Sequence, residues 1–203
     1  RLALYIGNID FEDVRMTWRE DFDTMVDTGK LPYGVTSPFR QIPVLEVDGQ
    51  VIGQTAGIAR FCGKLSGLYP KNDDMLAAQI DQIIDAANDI TNLVGLTMRE
   101  KDPDKRKLER QKLSKEVLPK WFGFLENLLT ENKSSEWFVG DKMSVADLAI
   151  WRLLGWIISG KLEHVPTTLL DTFPKLTKLY RGVDYHPKVQ EWISLKYPKK
   201  YTS

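Results

Sequence analysis

The rhythm of apolar and polar positions changes near residue 70. Before it the pattern is mixed. Arg1-Leu-Ala-Leu-Tyr-Ile6 spaces its apolar residues as a helix does, and Gly7-Asn8 suits the end, because both residues tolerate left-handed backbone. Phe11–Arg15 alternates weakly and predicts a strand. Residues 17–40 are polar and punctuated by Gly and Pro, which predicts a short helix inside a long loop. Ile42–Val47 and Gln50–Ile52 flank Asp48-Gly49, a strand–turn–strand pattern, since a type I′ turn needs positive φ at both central residues. Thr55–Leu65 then reads as an amphipathic helix with Ile58, Phe61, Cys62 and Leu65 on one face.

Beyond residue 75 the period is helical throughout. Met75–Met98 keeps apolar residues on one stripe, and Lys105–Leu129 does the same with Pro119 inside it, which predicts a kink or break. Ser144-Val-Ala-Asp147 has the form of a capping box and opens the most apolar helix of the chain, Val145 to about Ile158. Helices near 167–181 and 187–195 complete the pattern. The pattern therefore predicts an α/β unit over 1–70 followed by an all-α unit over 75–203.

Composition narrows the function classes. The 203 residues carry 28 Lys+Arg and 28 Asp+Glu, and this zero net charge removes the broad positive field that non-specific nucleic-acid binding needs. The basic run Lys196–Lys200 reads as a solvated tail. No apolar run reaches the roughly 18 residues of a membrane span. A single cysteine, Cys62, excludes an internal disulfide and fits a reducing, cytoplasmic setting; its place on an apolar face makes it a structural thiol. His164 and His186 have no ligand or triad partner at a recognisable spacing, so no metal site is expected.

The segment RQIPVLEVDGQVIGQTAGIARF (40–61), followed some ninety residues on by Trp137-Phe-Val-Gly-Asp-Lys-Met-Ser-Val-Ala-Asp-Leu148, resembles the glutathione transferases, with the flavour of the sigma class. That class includes glutathione-dependent prostaglandin D synthases and lens S-crystallins. The resemblance spans nearly the whole chain. It implies a thioredoxin-like N-terminal half, a helical C-terminal half, glutathione as substrate or cofactor, a small electrophile as second substrate and a homodimer. A non-catalytic member serving as a structural or assembly subunit is the alternative.

The site residues implied are Gln41, Ile42, Pro43, Gln54, Thr55 and Asp89. An Ile42–Pro43 bond can be cis at small cost, and in the family the matching proline is cis, which exposes the preceding backbone to the cysteinyl unit of glutathione. The amide of Gln41 would touch the glutathione main chain, although Arg40 stands where the family has a small residue. Gln54-Thr55 opens a helix, where free N–H groups and the dipole favour an anion such as the γ-glutamyl carboxylate; a plain Thr N-cap uses the same geometry. Asp81, Asp85 and Asp89 share one helix face and need a cation to meet them. In the family the acid matching Asp89 crosses a two-fold interface to the partner's γ-glutamyl ammonium. Phe22 and Lys30 are stand-ins for two further glutathione contacts, and Leu96, Arg99 and Trp151 are walls of the electrophile pocket. Arg1 aligns inside the family's first helix, so the first strand and the sulfur-activating tyrosine are expected upstream. Tyr5 is not that residue, and no catalytic residue is expected within the chain. A sheet lacking its central strand would leave backbone groups unpaired, at about 1–3 kcal/mol each.

Overall fold

The computed structural model describes residues 1–16, 19–133 and 135–196. The basic run at 196–200 lies, except for Lys196, outside these residues, as do residues 17 and 18 at the start of the long loop. Helix α1 spans Leu2–Ile6; Gly7 remains near helical angles and Asn8 takes the left-handed turn, φ 53°. The Asn8 and Ile9 N–H groups then close on the carbonyls of Tyr5 and Leu4.

Residues 11–15 do not form the expected strand. Their alternation is real in burial, with Phe11 turned in and Glu12 out, but no chain segment among the described residues offers them a ladder. Side chains hold the segment instead: Phe11 packs 5.9 Å from the Trp192 ring, and Asp13 pairs with Arg1 and Arg15.

Helix α2, Arg19–Thr28, is the short helix of the long loop. The hairpin follows as β1, Val44–Val47, and β2, Gln50–Gly53, antiparallel with Val44 opposite Gly53 and Val47 opposite Gln50. Asp48 and Gly49 both have positive φ, 51° and 79°, as the Asp-Gly signal requires.

Helix α3, Thr55–Ser66, buries Ala56, Cys62 and Gly63. Leu65, expected on the inner face, is exposed. The reason is close packing: a Cβ on Gly63 would lie 2.9 Å from Val145 Cγ1, so the helix turns its smallest residues toward its neighbour and Leu65 outward.

The second half is built from α4 (Asp74–Arg99), α5 (Pro103–Lys112), α6 (Leu118–Glu131), α7 (Val145–Ile157), α8 (Pro174–Asp184) and α9 (Pro187–Lys196). The break foreseen at Pro119 appears as a π turn, Leu113–Val117, joining α5 to α6. Proline has no N–H for the carbonyl four residues back and its ring crowds that carbonyl, so the helix takes up an extra residue before it. The helix expected from 167 begins at Pro174, after a short 3-10 turn at Leu169–Thr172.

Helix α7 is the axis of the core. Its Ile150, Leu153, Leu154 and Ile157 are fully buried between Ile83, Ile90 and Val94 of α4 and Leu176 and Leu179 of α8. The capping box forms as read: Ser144 Oγ accepts from Ala146 N–H at 3.2 Å, and Asp147 accepts from Ser144 N–H at 2.7 Å.

Candidate functional site

The hairpin register decides the geometry. Because Val44 faces Gly53, the chain segments just beyond them, Ile42-Pro43 and Gln54-Thr55, leave the open end of the hairpin side by side. The Ile42–Pro43 peptide is cis. Ile42 is 49% exposed and its backbone makes no hydrogen bond among the described residues, so its backbone groups are open to a ligand.

That segment is fixed from behind by a residue the sequence reading missed. Ser37 is buried; its Oγ accepts from Gln41 N–H at 3.0 Å and donates to Gln41 C=O at 2.8 Å. Both backbone groups of Gln41 are thereby occupied and its exposed amide is left for a ligand. The turn also needs Arg40 at φ 51°. A Ser-Pro pair after a glycine-bounded loop was the available signal, but nothing local says which backbone groups the hydroxyl will clamp.

At the start of α3 the N-cap is Gln54, at φ 69°, and Thr55 is the first helical residue. No side chain caps this helix, which corrects the plain Thr-cap reading. The first intrahelical bond is Ile58 N–H to Gln54 C=O, so the N–H groups of Thr55, Ala56 and Gly57 have no protein acceptor. Nor is there an acidic residue in the first turn. Three open donors, an exposed threonine hydroxyl and the positive end of a helix dipole make a seat for a carboxylate.

The aspartate face of α4 finds its cation in Arg60, another residue not read from sequence. Arg60 Nε donates to Asp81 at 2.7 Å and Nη2 to Asp85 at 2.8 Å, while the Tyr69 hydroxyl donates to Asp81 at 2.9 Å. Burial works to lower the Arg60 guanidinium, but its bonds to the two aspartates carry it above its usual value. Tyr69 follows α3 and meets Asp81; Arg60, nearer the start of α3, also reaches Asp85. Ascending α4 therefore leads back toward Thr55. At about 1.5 Å per residue, Asp89 lies about 6 Å beyond Asp85 in that direction. Asp89 is exposed and makes no ion pair among the described residues.

Other expected residues are placed less decisively. Lys30 is tied by an isolated bridge to Thr36, and Ser37 N–H closes on Gly29 C=O, which brings Lys30 back to the Gln41 turn; Phe22 stays exposed on α2. Tyr5 is turned to the opposite end of the chain, its ring 5.1 Å from Trp192 of α9. Trp151 is no free wall: its Nε1 donates to Asp184 and its ring stacks on Tyr180. Cys62 is buried, and burial pushes its thiol up, against reactivity. His186 caps α9 through Nδ1 and His164 is exposed. Among the described residues no three His, Cys, Asp or Glu side chains converge as a metal site, and no helix is long and apolar enough to cross a membrane.

A cis-proline edge beside an uncapped helix start, on a chain whose remainder is helical, is a combination that comparison with known proteins identifies. The family model "Glutathione S-transferase, C-terminal domain" matches residues 88–196. The glutathione S-transferase 1 of Ascaris suum is 32% identical over 205 residues, covering 96% of this chain and 88% of that protein. The chain belongs to the glutathione S-transferase family. It is also similar to the hematopoietic prostaglandin D synthase of Mus musculus, 34% identical over 164 residues, covering 81% of this chain and 76% of that protein. A solved prostaglandin synthase D of Nilaparvata lugens superposes with a TM-score of 0.81 at 27% identity, over 97% of this chain and 90% of that one. The fold is accordingly the family's, thioredoxin-like in its first part and helical in its second.

Proposed function

We propose that the protein is a sigma-like glutathione transferase that adds the glutathione thiolate to a small electrophile, or uses glutathione as cofactor to isomerise one. The single observation that carries this is the pairing of the open backbone groups of Ile42 with the three open N–H groups of Thr55–Gly57. The γ-glutamyl carboxylate sits on that helix start and the Thr55 hydroxyl. The cysteinyl backbone pairs with Ile42 beside Pro43, and the amides of Gln41 and Gln54 flank it. Asp89 holds the γ-glutamyl ammonium of the partner protomer in a homodimer. Residues 1–70 form the glutathione-binding unit and residues 75–203 the helical unit that covers the electrophile.

In the conjugation a C–S bond forms, the leaving group departs with its electron pair, and the thiol proton passes to solvent. A thiol near pKa 8.5 is only a few per cent ionised at pH 7, so a donor to the sulfur is needed to raise the thiolate fraction. No side chain of this chain is assigned that role; by the resemblance it belongs to a tyrosine at the end of the family's first strand. Cys62 fits a reducing, cytoplasmic setting.

The test is calorimetric titration with glutathione alongside conjugation of a chromogenic electrophile. Thr55→Ala should weaken glutathione binding by about 1–3 kcal/mol, the worth of a hydrogen bond to a charged acceptor. Unchanged affinity would refute the placement of the carboxylate. Binding without turnover would leave a glutathione-holding structural subunit.

A further inference from the structure

The turn Ser37–Gln41 is pinned on the side away from the site. Met25 of α2 is 1% exposed, and Gly29 N–H donates to Met25 C=O at 2.8 Å. Ser37 N–H donates in turn to Gly29 C=O at 2.7 Å. Gly29 has φ 79°, and a Cβ there would lie 3.2 Å from the Ser37 carbonyl oxygen, so the turn rests against bare backbone. Arg40 N–H donates to Ser37 C=O at 3.4 Å, and the buried Ser37 hydroxyl holds both backbone groups of Gln41. Ser37 thus fixes the residue that leads directly into Ile42.

The same turn bears on the start of α3. A Cβ on Gly53 would lie 2.9 Å from Phe39 Cδ2 and 3.2 Å from Pro38 Cγ. Both distances fall inside the roughly 3.5–4.0 Å of an ordinary carbon contact, so no side chain fits at position 53 with the turn in place. Pro38 and Phe39 therefore sit on the backbone of the residue that precedes Gln54, the N-cap of α3. One end of the turn is bonded to the Ile42 side of the seat and its middle lies on the Thr55 side. Five consecutive residues brace the two halves against each other.

We propose that Ser37 is a positioning residue for glutathione and that, with Gly53, it sets the span between the two halves of the seat. This rests on the transferase reading. Glutathione has to reach both halves at once, with its γ-glutamyl carboxylate on α3 and its cysteinyl backbone at Ile42. A seat of fixed span therefore selects the length of the head group, and a β-aspartyl head is one methylene too short to satisfy both ends. Without the Ser37 hydroxyl, the Gln41 backbone groups turn to water and the brace loosens. Gln41 is exposed, so the fold loses little, but the ligand must now order the turn as it binds.

The experiment is calorimetry on the full chain with glutathione, with β-aspartyl-cysteinyl-glycine in competition against it, and urea unfolding alongside. The wild type should prefer glutathione. Ser37→Ala should weaken glutathione about tenfold at unchanged stoichiometry and weaken the shorter peptide less, so that the preference narrows. A role in folding alone would lower the bound fraction or the urea midpoint and leave the ratio of the two ligands as it was. Gly53→Ala displaces Phe39 and should weaken glutathione in the same way; the double variant should lose less than the product of the two single losses, because both loosen one brace. Equal wild-type affinity for the two peptides, unchanged glutathione affinity in Ser37→Ala, an equal loss of both ligands, or a double variant at the full product would each overturn the proposal while leaving the transferase reading intact. A wild type that binds no glutathione would defeat that reading, and the span with it.

Discussion

Arg60 shows how much a single side chain settles at this site. Its partners are one helical turn apart on α4, and without it two carboxylates would face each other unneutralised. Arg60 is about a quarter exposed and Asp85 more than half, so solvent screens the network and its worth is modest. Arg60→Ala should lower the urea midpoint by an amount equivalent to about 1 kcal/mol, and Asp81→Asn should recover part of that loss; a double variant as unstable as the sum of the singles would show no coupling. Asp89 is the contrast. With no ion pair among the described residues, Asp89→Asn should leave the urea midpoint in place. If it serves the partner's glutathione, the KM for glutathione rises while the sedimentation mass of the dimer stays the same. A monomer with normal glutathione affinity would rule that role out.

Among the elements, α7 carries the most weight, and its start is the place to test it. Asp147 is fully buried and accepts from three donors: Phe138 N–H at 3.0 Å, Ser144 N–H and the Ser144 hydroxyl at 2.9 Å. The carboxylate therefore ties the incoming loop to the helix as well as closing the cap. Ser144→Ala should cost about 0.5–2 kcal/mol. Asp147→Ala should cost more than Ser144→Ala, because it strands two buried backbone donors at about 1–3 kcal/mol each. Urea unfolding beside a glutathione titration checks this; lost glutathione binding with an unchanged midpoint would show that the pair belongs to the site rather than to the core. By contrast α3 begins with no cap at all. One helix start is closed by its own side chains and the other is left open to solvent, and the open one lies against the hairpin edge.

At the scale of the whole molecule, much of the fold was readable where the signal is local. The Asp48-Gly49 turn, the Ser144–Asp147 box, the Pro119 break and the long stripe of α4 each follow from backbone preferences or from a period within a few residues. Residues 11–15 failed for the opposite reason. Alternation fixes which way side chains point, but a strand exists only when another segment supplies its hydrogen bonds. The candidates Gln41, Ile42, Pro43, Gln54 and Thr55 came from the hairpin block and Asp89 from the α4 stripe, by resemblance, while Ser37 and Arg60 gave no local signal, because each acts on groups set beside it only by folding.

The sequence by itself determined the Asp48-Gly49 hairpin, the Ser144–Asp147 cap and the change from a mixed to a helical half, since these depend on φ preferences and apolar periods that act over one or two turns. Tertiary structure alone decided that the register places Val44 opposite Gly53, so that Ile42 and Thr55 leave the same end of the hairpin, and that Arg60 takes Asp81 and Asp85 but leaves Asp89 free of ion pairs among the described residues. Those outcomes come from long-range packing, in which the register of one hairpin and the pitch of one helix carry residues far apart in the chain to within hydrogen-bond reach.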